Sequence, residues 1–330
     1  MLIAEIGQAH DGSLGVAHSY IDALANTGID AIKWQTHIAE AESSLEEPFR
    51  VKFSYEDITR FDYWKRMEFT KEQWAGLKNH CERVGLEFIS SPFSNAAVDL
   101  LEDIGVKRYK VGSGEISNLL LLERIAQTGK PVILSSGMSS FDELDEAFNF
   151  LSSRIEVSIM QCFTAYPTKP SQWGLDVISQ MKQRYQTKIG FSDHSGEITA
   201  CIAATALGAD FLEFHVVFDK QIFGPDAIAS LTINEVKQLA NSVKDIRAAL
   251  LSPTTKIVPD NLIEVKKMFG KSLAVNKALT KGHKLNFLDL EAKKPSEKGI
   301  SAIDFEFVIG KILKRDMSAW SFLNEADIDE

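Results

Sequence analysis

The chain has 330 residues, of which 45% are hydrophobic and 25% are charged. This length and composition predict one large globular domain followed by a smaller one. The formal net charge is −10 at pH 7, and such a negative field disfavours a general role on nucleic acid or on an anionic membrane surface. A phosphate-bearing partner would therefore need a local cluster of lysines, dipoles or metal.

The three cysteines, Cys81, Cys162 and Cys201, have no CxxC spacing. An odd number of isolated cysteines favours reduced, mostly buried thiols. The stretch Leu2–Gly7 follows no basic segment or long apolar run, so we expect no signal peptide. No apolar run approaches the roughly 20 residues of a membrane helix. We expect a cytoplasmic protein that binds neither nucleic acid nor membrane.

Short β-branched runs alternate with amphipathic segments over the first three quarters of the chain. Strict alternation of strands and helices indicates parallel pairing. This number of units predicts a (β/α)₈ TIM barrel over residues 1–252. A doubly wound open sheet is the alternative, but it usually has a glycine-rich phosphate turn that Gly7–Gly12 lacks. The predicted strands are Leu2–Ile6, Ala31–Gln35, Glu87–Ser90, Arg108–Val111, Pro131–Leu134, Val157–Gln161, Lys188–Phe191 and Phe211–Val216.

Residues 37–70 form an unusually long connection after the second predicted strand, with an acidic stretch and the aromatic-rich Phe61–Trp64. A connection of this length either shapes a site at the barrel mouth or is a surface excursion, and the sequence leaves both open. The predicted helices include Ser13–Asn26, Lys71–Val84, Asn95–Ile104, Leu119–Thr128, Phe141–Leu151, Gly196–Leu207 and Asn234–Leu251.

The texture of the sequence changes after the breaker cluster Ser252–Thr255. We expect residues 253–271 to be a linker with one short helix, and residues 272–330 to be a small β-rich domain. A weak repeat is visible in this domain, because Leu279-Thr280 and Leu285-Asn286 recur as Met317-Ser318 and Leu323-Asn324. So small a domain is marginal alone, and we expect it to pack against the barrel or another subunit.

Polar residues recur at the predicted strand ends, where a TIM barrel has its active site. A serine at a strand end is more often a turn or helix cap, and a lone histidine near a core strand is more often structural. Recurrence in all eight units nevertheless predicts a polar site. The candidates are Glu5, Lys33, Gln35, Ser91, Lys110, Ser113, Glu115, Ser135, Thr164, Tyr166, Ser192, His194 and His215.

Lys33 and Lys110, together with the nearby serine hydroxyls, are what a phosphate or carboxylate requires. Each lysine could instead form an ion pair with Glu5 or Glu115. Either glutamate could be a general base, hold substrate hydroxyls, or only pair with a lysine. Asp226, after the last strand, could bind sugar hydroxyls or shape a turn.

His194 and His215 end neighbouring predicted strands, where two imidazoles could bind a divalent metal with open positions. Their spacing does not match a local zinc motif, so a structural role stays open. A class I aldolase would need a Schiff-base lysine in an apolar pocket. The sixth strand contains no lysine, and Lys33 and Lys110 lie among residues suited to anions.

These residues lie in stretches that occur in the same order in a known family: Ala4–Ser13, Lys33–Thr36, Ile89–Ser94, Tyr109–Glu115, Gly129–Met138, Tyr166–Thr168, Gly190–Ser195, Glu213–His215 and Gly224–Asp226. The chain resembles the sialic acid synthases, also called N-acetylneuraminate or nonulosonate synthases, over essentially its full length. The C-terminal part, with Lys281-Gly282 and Lys294-Pro295, resembles the family's antifreeze-like (SAF) domain.

The resemblance implies that phosphoenolpyruvate condenses with an N-acylated mannose-type sugar in the presence of Mn²⁺ or Mg²⁺. The product would be a nine-carbon 2-keto acid, with phosphate leaving by C–O cleavage. By this resemblance, Glu5, Glu115 and Lys33 act in catalysis. Phosphoenolpyruvate is held by Lys33, Lys110, Ser91, Ser113, Ser135, Ser192 and Thr164. The sugar is held by Gln35, Glu115, Tyr166, Asp226 and Lys294, and the metal by His194 and His215.

The sequence departs from the family at three positions. Ala9 stands where the family usually has Asn, and Thr164 stands where it has Asn or Ser. Lys294 replaces an Arg that, in the family, reaches the partner's site to contact the sugar's N-acyl group, which implies a domain-swapped homodimer. Lysine lacks the planar fork of arginine, so the sugar is left open. The alternatives are a non-catalytic homologue that binds the sugar or phosphoenolpyruvate, and a sugar-aldolase-type lyase.

Overall fold

The computed structural model describes residues 1–49, 51–252 and 255–329. Contacts between residues divide the chain into two compact units, residues 1–252 and residues 253–330. Pro253 and Thr254, at the centre of the predicted breaker cluster, lie outside the described residues.

The first unit is a closed parallel barrel, which confirms the predicted fold class and excludes the open sheet. Each strand pairs with the next along the chain, and the first strand also pairs with the eighth. A short ninth strand extends from the eighth. The strands are β1 Leu2–Glu5, β2 Ala31–Thr36, β3 Glu87–Pro92, β4 Tyr109–Val111, β5 Val132–Ser135, β6 Val157–Cys162, β7 Ile189–Asp193, β8 Leu212–Val217 and β9 Leu231–Thr232.

The barrel strands read as continuous apolar runs because both of their faces are covered. One face points into the barrel, where Ile3, Ile89, Ile133 and Met160 form a small inner cluster. The other face packs against the surrounding helices in a much larger cluster. Both faces are buried, so only the strand ends remain available for polar chemistry.

The helices begin at the capping residues that the sequence supplies. Thr70, Ser140 and Thr232 each form a reciprocal capping box with the third residue of the following helix. The helices of the barrel unit are α1 Leu14–Leu24, α2 Ala39–Glu42, α3 Arg60–Met67, α4 Lys71–Arg83, α5 Asn95–Ile104, α6 Leu119–Ala126, α7 Phe141–Ser152, α8 Leu175–Tyr185, α9 Ile198–Ala206 and α10 Ile233–Leu251. Two of them, α2 and α3, lie in the long connection of residues 37–70.

The second unit has its own apolar cluster, which includes Leu273, Leu285 and Leu323. It contains helices α11 Ile263–Phe269 and α12 Phe305–Val308, and strands β10 Ser272–Val275 and β11 Leu290–Lys293, which pair antiparallel. The repeat noticed in the sequence corresponds to matching local structure. Leu279 and Met317 exchange backbone hydrogen bonds of 2.9 and 2.8 Å.

The two halves of the repeat also end in the same turn. Asn286 and Asn324 each donate a backbone N–H to a buried aspartate three residues later, Asp289 and Asp327, at 3.0 and 2.9 Å. A short 3₁₀ helix follows each asparagine. The small unit is therefore built from two similar half-units.

All three cysteines are buried and unpaired. Within the described ranges, no helix is both long and apolar enough to span a membrane.

Candidate active site

A cavity of about 330 Å³ opens at the C-terminal ends of the barrel strands. The structure brings most of the sequence-predicted site residues to its wall. Glu115 is the predicted barrel residue that it does not place there. The predicted residues that line the cavity are Glu5, Lys33, Gln35, Ser91, Lys110, Ser113, Ser135, Thr164, Tyr166, Ser192, His194, His215 and Asp226.

Two lysines and two glutamates form a buried cluster at this end of the barrel. Lys33 Nζ lies 2.5 Å from Glu5 Oε2 and 3.6 Å from Glu213 Oε1, and Lys110 Nζ lies 3.2 Å from Glu213 Oε1. The strand register explains the first contact, because Glu5 and Lys33 are direct neighbours on β1 and β2. The lysines therefore face the cavity and also form ion pairs, and both of them pair with Glu213, a carboxylate that the strand-end pattern does not select.

Glu213 is the residue that sequence reasoning missed. It precedes His215 by two positions on β8, so the two side chains share a face of the strand. Burial alone would raise the pKa of Glu213, but Lys110 and Lys33 outweigh it and lower the pKa to about 2. Burial raises the pKa of Glu5, although Lys33 opposes the shift. Glu213 is thus the stable counter-charge, and Glu5 is the carboxylate more ready to accept a proton.

Hydroxyl groups surround the lysine cluster. Lys110 Nζ donates to Ser135 Oγ at 2.6 Å, Lys33 Nζ contacts Ser91 Oγ at 3.4 Å, and Ser192 Oγ donates to Glu213 Oε1 at 3.1 Å. The hydroxyl hydrogens of these serines rotate freely, so they can donate to a bound oxyanion. Such an anion would take over part of the ionic contact that the lysines make with Glu213.

A narrow cradle lies beside the cluster at Gly137. A Cβ added to Gly137 would lie 2.4 Å from Thr164 Oγ1, 2.7 Å from Ser113 Oγ and 3.0 Å from Cys162 Sγ. Thr164 Oγ1 is buried and has no hydrogen-bond partner within the described ranges. An uncommitted buried hydroxyl in the same cavity as two buried lysines suits the oxygen of an anionic ligand.

His194 and His215 converge at the cavity, with ring centroids 5.3 Å apart. His194 Nδ1 lies 3.0 Å from the carbonyl oxygen of Phe163, which can only accept, so Nδ1 carries the proton. The lone pair of the neutral ring is then on Nε2, which lies 3.1 Å from the Tyr166 hydroxyl. Such a carbonyl partner is the usual way in which a metal-binding histidine is oriented.

The protonation of the two rings differs. Burial lowers the pKa of His215 to about 4, so it is neutral at pH 7. Burial also lowers the pKa of His194, but the adjacent Cys162 sulfur outweighs it and raises the pKa to about 9. Across the described residues, no third His, Cys, Asp or Glu completes a protein-only metal site. His194 must lose its second proton before it can bind a cation, because only a neutral imidazole has a free lone pair. The two neutral rings would then suit an ion whose other ligands are water or substrate.

Glu115 is not among the residues that line the cavity. It ends a one-turn 3₁₀ helix, Ser113–Glu115, and accepts a hydrogen bond of 2.7 Å from Asn118 Nδ2. Burial raises the pKa of Glu115. The tight turn after β4 directs Ser113 towards the site and Glu115 along the following segment, which the strand-end pattern could not reveal.

Lys294 belongs to the second unit, where its ammonium nitrogen lies 4.5 Å from the centroid of the Phe269 ring. Asp226 lines the cavity just before the short 3₁₀ helix Ala227–Ala229. The roles of both residues towards a sugar remain predictions.

The long connection after β2 forms the outer wall of the cavity. Val51, Phe53, Arg60, Tyr63 and Trp64 all line it. The Arg60 guanidinium lies 5.0 Å from the Trp64 ring centroid and pairs with Glu47 at 2.9 Å. Of the two interpretations that the sequence left open, the structure supports the one in which this segment shapes the site.

A family model, described as the NeuB family, matches residues 20–254. This chain belongs to the NeuB family. It is 32% identical to the N,N'-diacetyllegionaminic acid synthase of Campylobacter jejuni, over 98% of this chain and 99% of the relative. It is 34% identical to the human N-acetylneuraminate-9-phosphate synthase, over 94% and 87%.

Solved structures agree with this assignment. A crystal structure of N-acetylneuraminic acid synthetase from Leptospira borgpetersenii superposes with a TM-score of 0.70 at 29% identity. The match covers 80% of this chain and 89% of that chain. The resemblance drawn from the strand-end stretches is confirmed, as is the prediction of a synthase-type enzyme. These relatives are named for different products, so similarity alone does not select a sugar.

Proposed function

We propose that this NeuB family member condenses phosphoenolpyruvate with an N-acylated mannose-type sugar, giving a nonulosonic acid and phosphate. The observation that carries the proposal is the cluster of Lys33, Lys110 and serine hydroxyls beside the His194–His215 pair. It places anion-binding groups next to groups that can hold a cation. That combination suits a substrate bearing both phosphate and carboxylate that reacts with an aldehyde.

In this proposal Lys33, Lys110 and the hydroxyls of Ser91, Ser113 and Thr164 bind the phosphate and carboxylate of phosphoenolpyruvate. Ser135 and Ser192, which touch Lys110 and Glu213, complete that set. A divalent cation held by His194 and His215, Mn²⁺ or Mg²⁺, would polarise the sugar aldehyde. Gln35, Tyr166 and Asp226 face the same space and would hold the sugar.

The bond changes balance without a redox partner. The enol carbon of phosphoenolpyruvate attacks the aldehyde carbon, and the aldehyde oxygen takes up a proton to become a hydroxyl. Water adds to the cationic carbon that bears the phosphate. Glu5 would accept the proton of that water, consistent with its raised pKa. The tetrahedral intermediate then expels phosphate by C–O cleavage, leaving the 2-keto acid.

The two alternatives are less well supported. An aldolase-type lyase needs a neutral lysine in an apolar pocket, whereas Lys33 and Lys110 both lie against buried carboxylates. A non-catalytic binding protein would not require a carboxylate base, a histidine pair and an anion cradle in one cavity. The position of Glu115 leaves Glu5 as the better supported base.

We further propose that residues 272–330 act as an SAF domain and that the protein works in the cytoplasm as a domain-swapped homodimer. Lys294 would then reach the partner's cavity and contact the sugar. This proposal predicts that Lys294→Ala raises KM for the sugar and leaves KM for phosphoenolpyruvate unchanged. Mixing Lys294→Ala with an inactive barrel variant should give heterodimers in which an intact barrel receives a wild-type Lys294. The mixture should then have a lower KM for the sugar than Lys294→Ala alone.

The test of the proposed function is phosphate release from phosphoenolpyruvate with Mn²⁺. The assay uses N-acetylmannosamine, its 6-phosphate and a 2,4-diacetamido-2,4,6-trideoxymannose as acceptors. We expect release that depends on both acceptor and metal, together with a nine-carbon 2-keto acid in the mass spectrum. Binding of phosphoenolpyruvate without release for any acceptor would support the non-catalytic alternative. Cleavage of a nonulosonic acid to pyruvate without phosphate would support the lyase.

A further inference from the structure

A chain of partly buried hydrogen bonds runs from the long connection to the wall of the cavity. His37 Nδ1 lies 2.6 Å from Glu42 Oε1, and His37 Nε2 lies 2.7 Å from Gln8 Nε2. Gln8 Nε2 is also 2.7 Å from Gln35 Oε1, and Gln35 Nε2 is 2.7 Å from Glu5 Oε1. The chain therefore joins Glu42 to Glu5, the residue proposed as the base.

The carboxylate of Glu42 fixes the direction of every bond in this chain. A carboxylate only accepts, so His37 Nδ1 donates, and in the neutral ring His37 Nε2 carries the lone pair. Gln8 Nε2 must then donate to His37. Its second hydrogen goes to Gln35 Oε1, which leaves the Gln35 amide nitrogen to donate to Glu5. His37 Nε2 and Gln35 Oε1 lie 3.3 Å apart, but this is not a hydrogen bond, because both atoms are acceptors. They are close because each accepts from the same Gln8 amide nitrogen.

Aromatic packing holds the histidine in place. The His37 ring stacks between Trp64, at 4.1 Å and 19°, and Phe93, at 4.6 Å and 9°. Its exposed fraction is 3%. A ring held on both faces and hydrogen-bonded at both nitrogens is a rigid support for the amide of Gln8.

The consequence concerns the other end of the Gln8 amide. Both N–H groups of Gln8 are committed, while its side chain lines the cavity and is only partly buried. Within the described residues both side-chain hydrogen bonds of Gln8 use Nε2, and Oε1 is neither hydrogen-bonded nor a buried unpaired atom, so it is exposed. The amide oxygen is therefore an acceptor that a donor in the cavity can reach.

We propose that Gln8 is a specificity-determining residue whose amide oxygen accepts a hydrogen bond from a hydroxyl or acylamino N–H group of the acceptor sugar. His37 is its positioning residue, because it dictates which end of the amide faces the cavity. The inference rests on the proposed function and adds to it a residue outside the set predicted from the strand ends.

The experiment measures KM for both substrates in Gln8→Met, which keeps the length of the side chain and removes the acceptor together with the two amide donors to His37 and Gln35. Loss of one neutral hydrogen bond corresponds to roughly a threefold to tenfold change. We expect KM for the sugar to rise by that factor, while KM for phosphoenolpyruvate stays within about twofold. Sugar analogues that each lack one donor group identify the partner, because the analogue missing that group loses affinity in the wild type and not in Gln8→Met.

Two His37 variants test the positioning role. Glutamine can place an acceptor near the position of Nε2, whereas asparagine can retain only the donor near Nδ1. We expect His37→Gln to keep the sugar KM close to that of the wild type, and His37→Asn to raise it as Gln8→Met does. The melting temperature of each variant shows whether it is folded. A merely structural histidine would instead change kcat and both KM values together, or lower stability in both variants alike.

An unchanged sugar KM in folded Gln8→Met would overturn this inference while the synthase activity of the wild type stands. An equal rise in both KM values would also overturn it. A wild-type protein that releases no phosphate with any acylated sugar would refute the proposed function itself, and the inference would fall with it.

Discussion

Glu213 provides the most direct test of how the anion site is built. Its carboxylate is the shared partner of Lys110 at 3.2 Å and Lys33 at 3.6 Å, and all three side chains are buried. Glu213→Gln keeps the shape and removes the charge. Lys110 then loses its ionic partner, whereas Lys33 keeps Glu5 at 2.5 Å. The variant should therefore be less stable when no anion is bound.

The size of this effect follows from burial. Breaking a buried ion pair by removing one partner costs about 3–5 kcal/mol, and the lower end applies because glutamine still accepts a hydrogen bond. About 3 kcal/mol corresponds to about 6–12 °C in the melting temperature of a domain of this size. Differential scanning calorimetry at pH 7 measures it. The matched control is Glu156→Gln, which breaks the exposed pair with Lys188 at 3.1 Å and should leave Tm nearly unchanged.

Added anion provides the second half of the test. Inorganic phosphate or phosphoenolpyruvate restores the charge that Lys110 has lost, so either should raise the Tm of Glu213→Gln by more than it raises that of the wild type. Equal stabilisation of both proteins would contradict the interpretation that Glu213 occupies part of the anion's place. A Tm for Glu213→Gln as high as that of Glu156→Gln would refute the reasoning about the buried pair.

Three other predictions concern separate parts of the barrel unit. Gly137→Ala puts a Cβ 2.4 Å from Thr164 Oγ1, so it should raise KM for phosphoenolpyruvate by at least tenfold and leave KM for the sugar nearly unchanged in steady-state kinetics. His194→Ala and His215→Ala should each weaken Mn²⁺ binding by at least tenfold in electron paramagnetic resonance titrations, and unchanged binding would remove the histidine pair as the metal site. Burial lowers the pKa of His10 from 6.5 to about 3, so the unfolded chain binds a proton there that the folded chain does not. Stability should therefore rise with pH from about 3 to 6.5 and be lost as pH falls, by up to about 1.4 kcal/mol per pH unit, and His10→Asn should flatten the profile of Tm against pH.

The sequence predicted the barrel well because short apolar runs typical of buried strands alternate regularly with amphipathic segments typical of helices. Every predicted strand is present, with ends within two residues of those observed. The long connection after β2 was harder to interpret, because α3 has only 8 residues and begins at a cap, Thr59, inside a polar stretch. Its packing against the barrel mouth depends on tertiary contacts that no local pattern contains.

Site residues on the strands or directly after them were predictable from the sequence. Residues placed by a turn further along the chain were less so. Lys33, Lys110, His194 and His215 stand on strands or directly after them, and all reach the cavity. Glu115 stands one turn further on, where a 3₁₀ helix redirects it. Glu213 lies near the start of β8, two residues before His215, so a pattern of polar strand ends does not select it.

The hydrogen bonds of Gln8 could not be predicted from the chain alone. They join β1, β2 and α2 through side-chain amides whose orientation depends on one distant carboxylate, Glu42. A sequence pattern identifies which residues meet, but it does not give the direction in which an amide points.

The outer wall of the cavity has a consequence for how this enzyme can diversify. Anion-binding and histidine groups are distributed over separate barrel strands, whereas Val51, Phe53, Arg60, Tyr63 and Trp64 come from one uninterrupted segment. Residues 37–70 could therefore be exchanged as a single cassette between family members without disturbing a barrel strand. Acceptor preference could change through recombination of this segment while the chemistry on the strand ends stays intact.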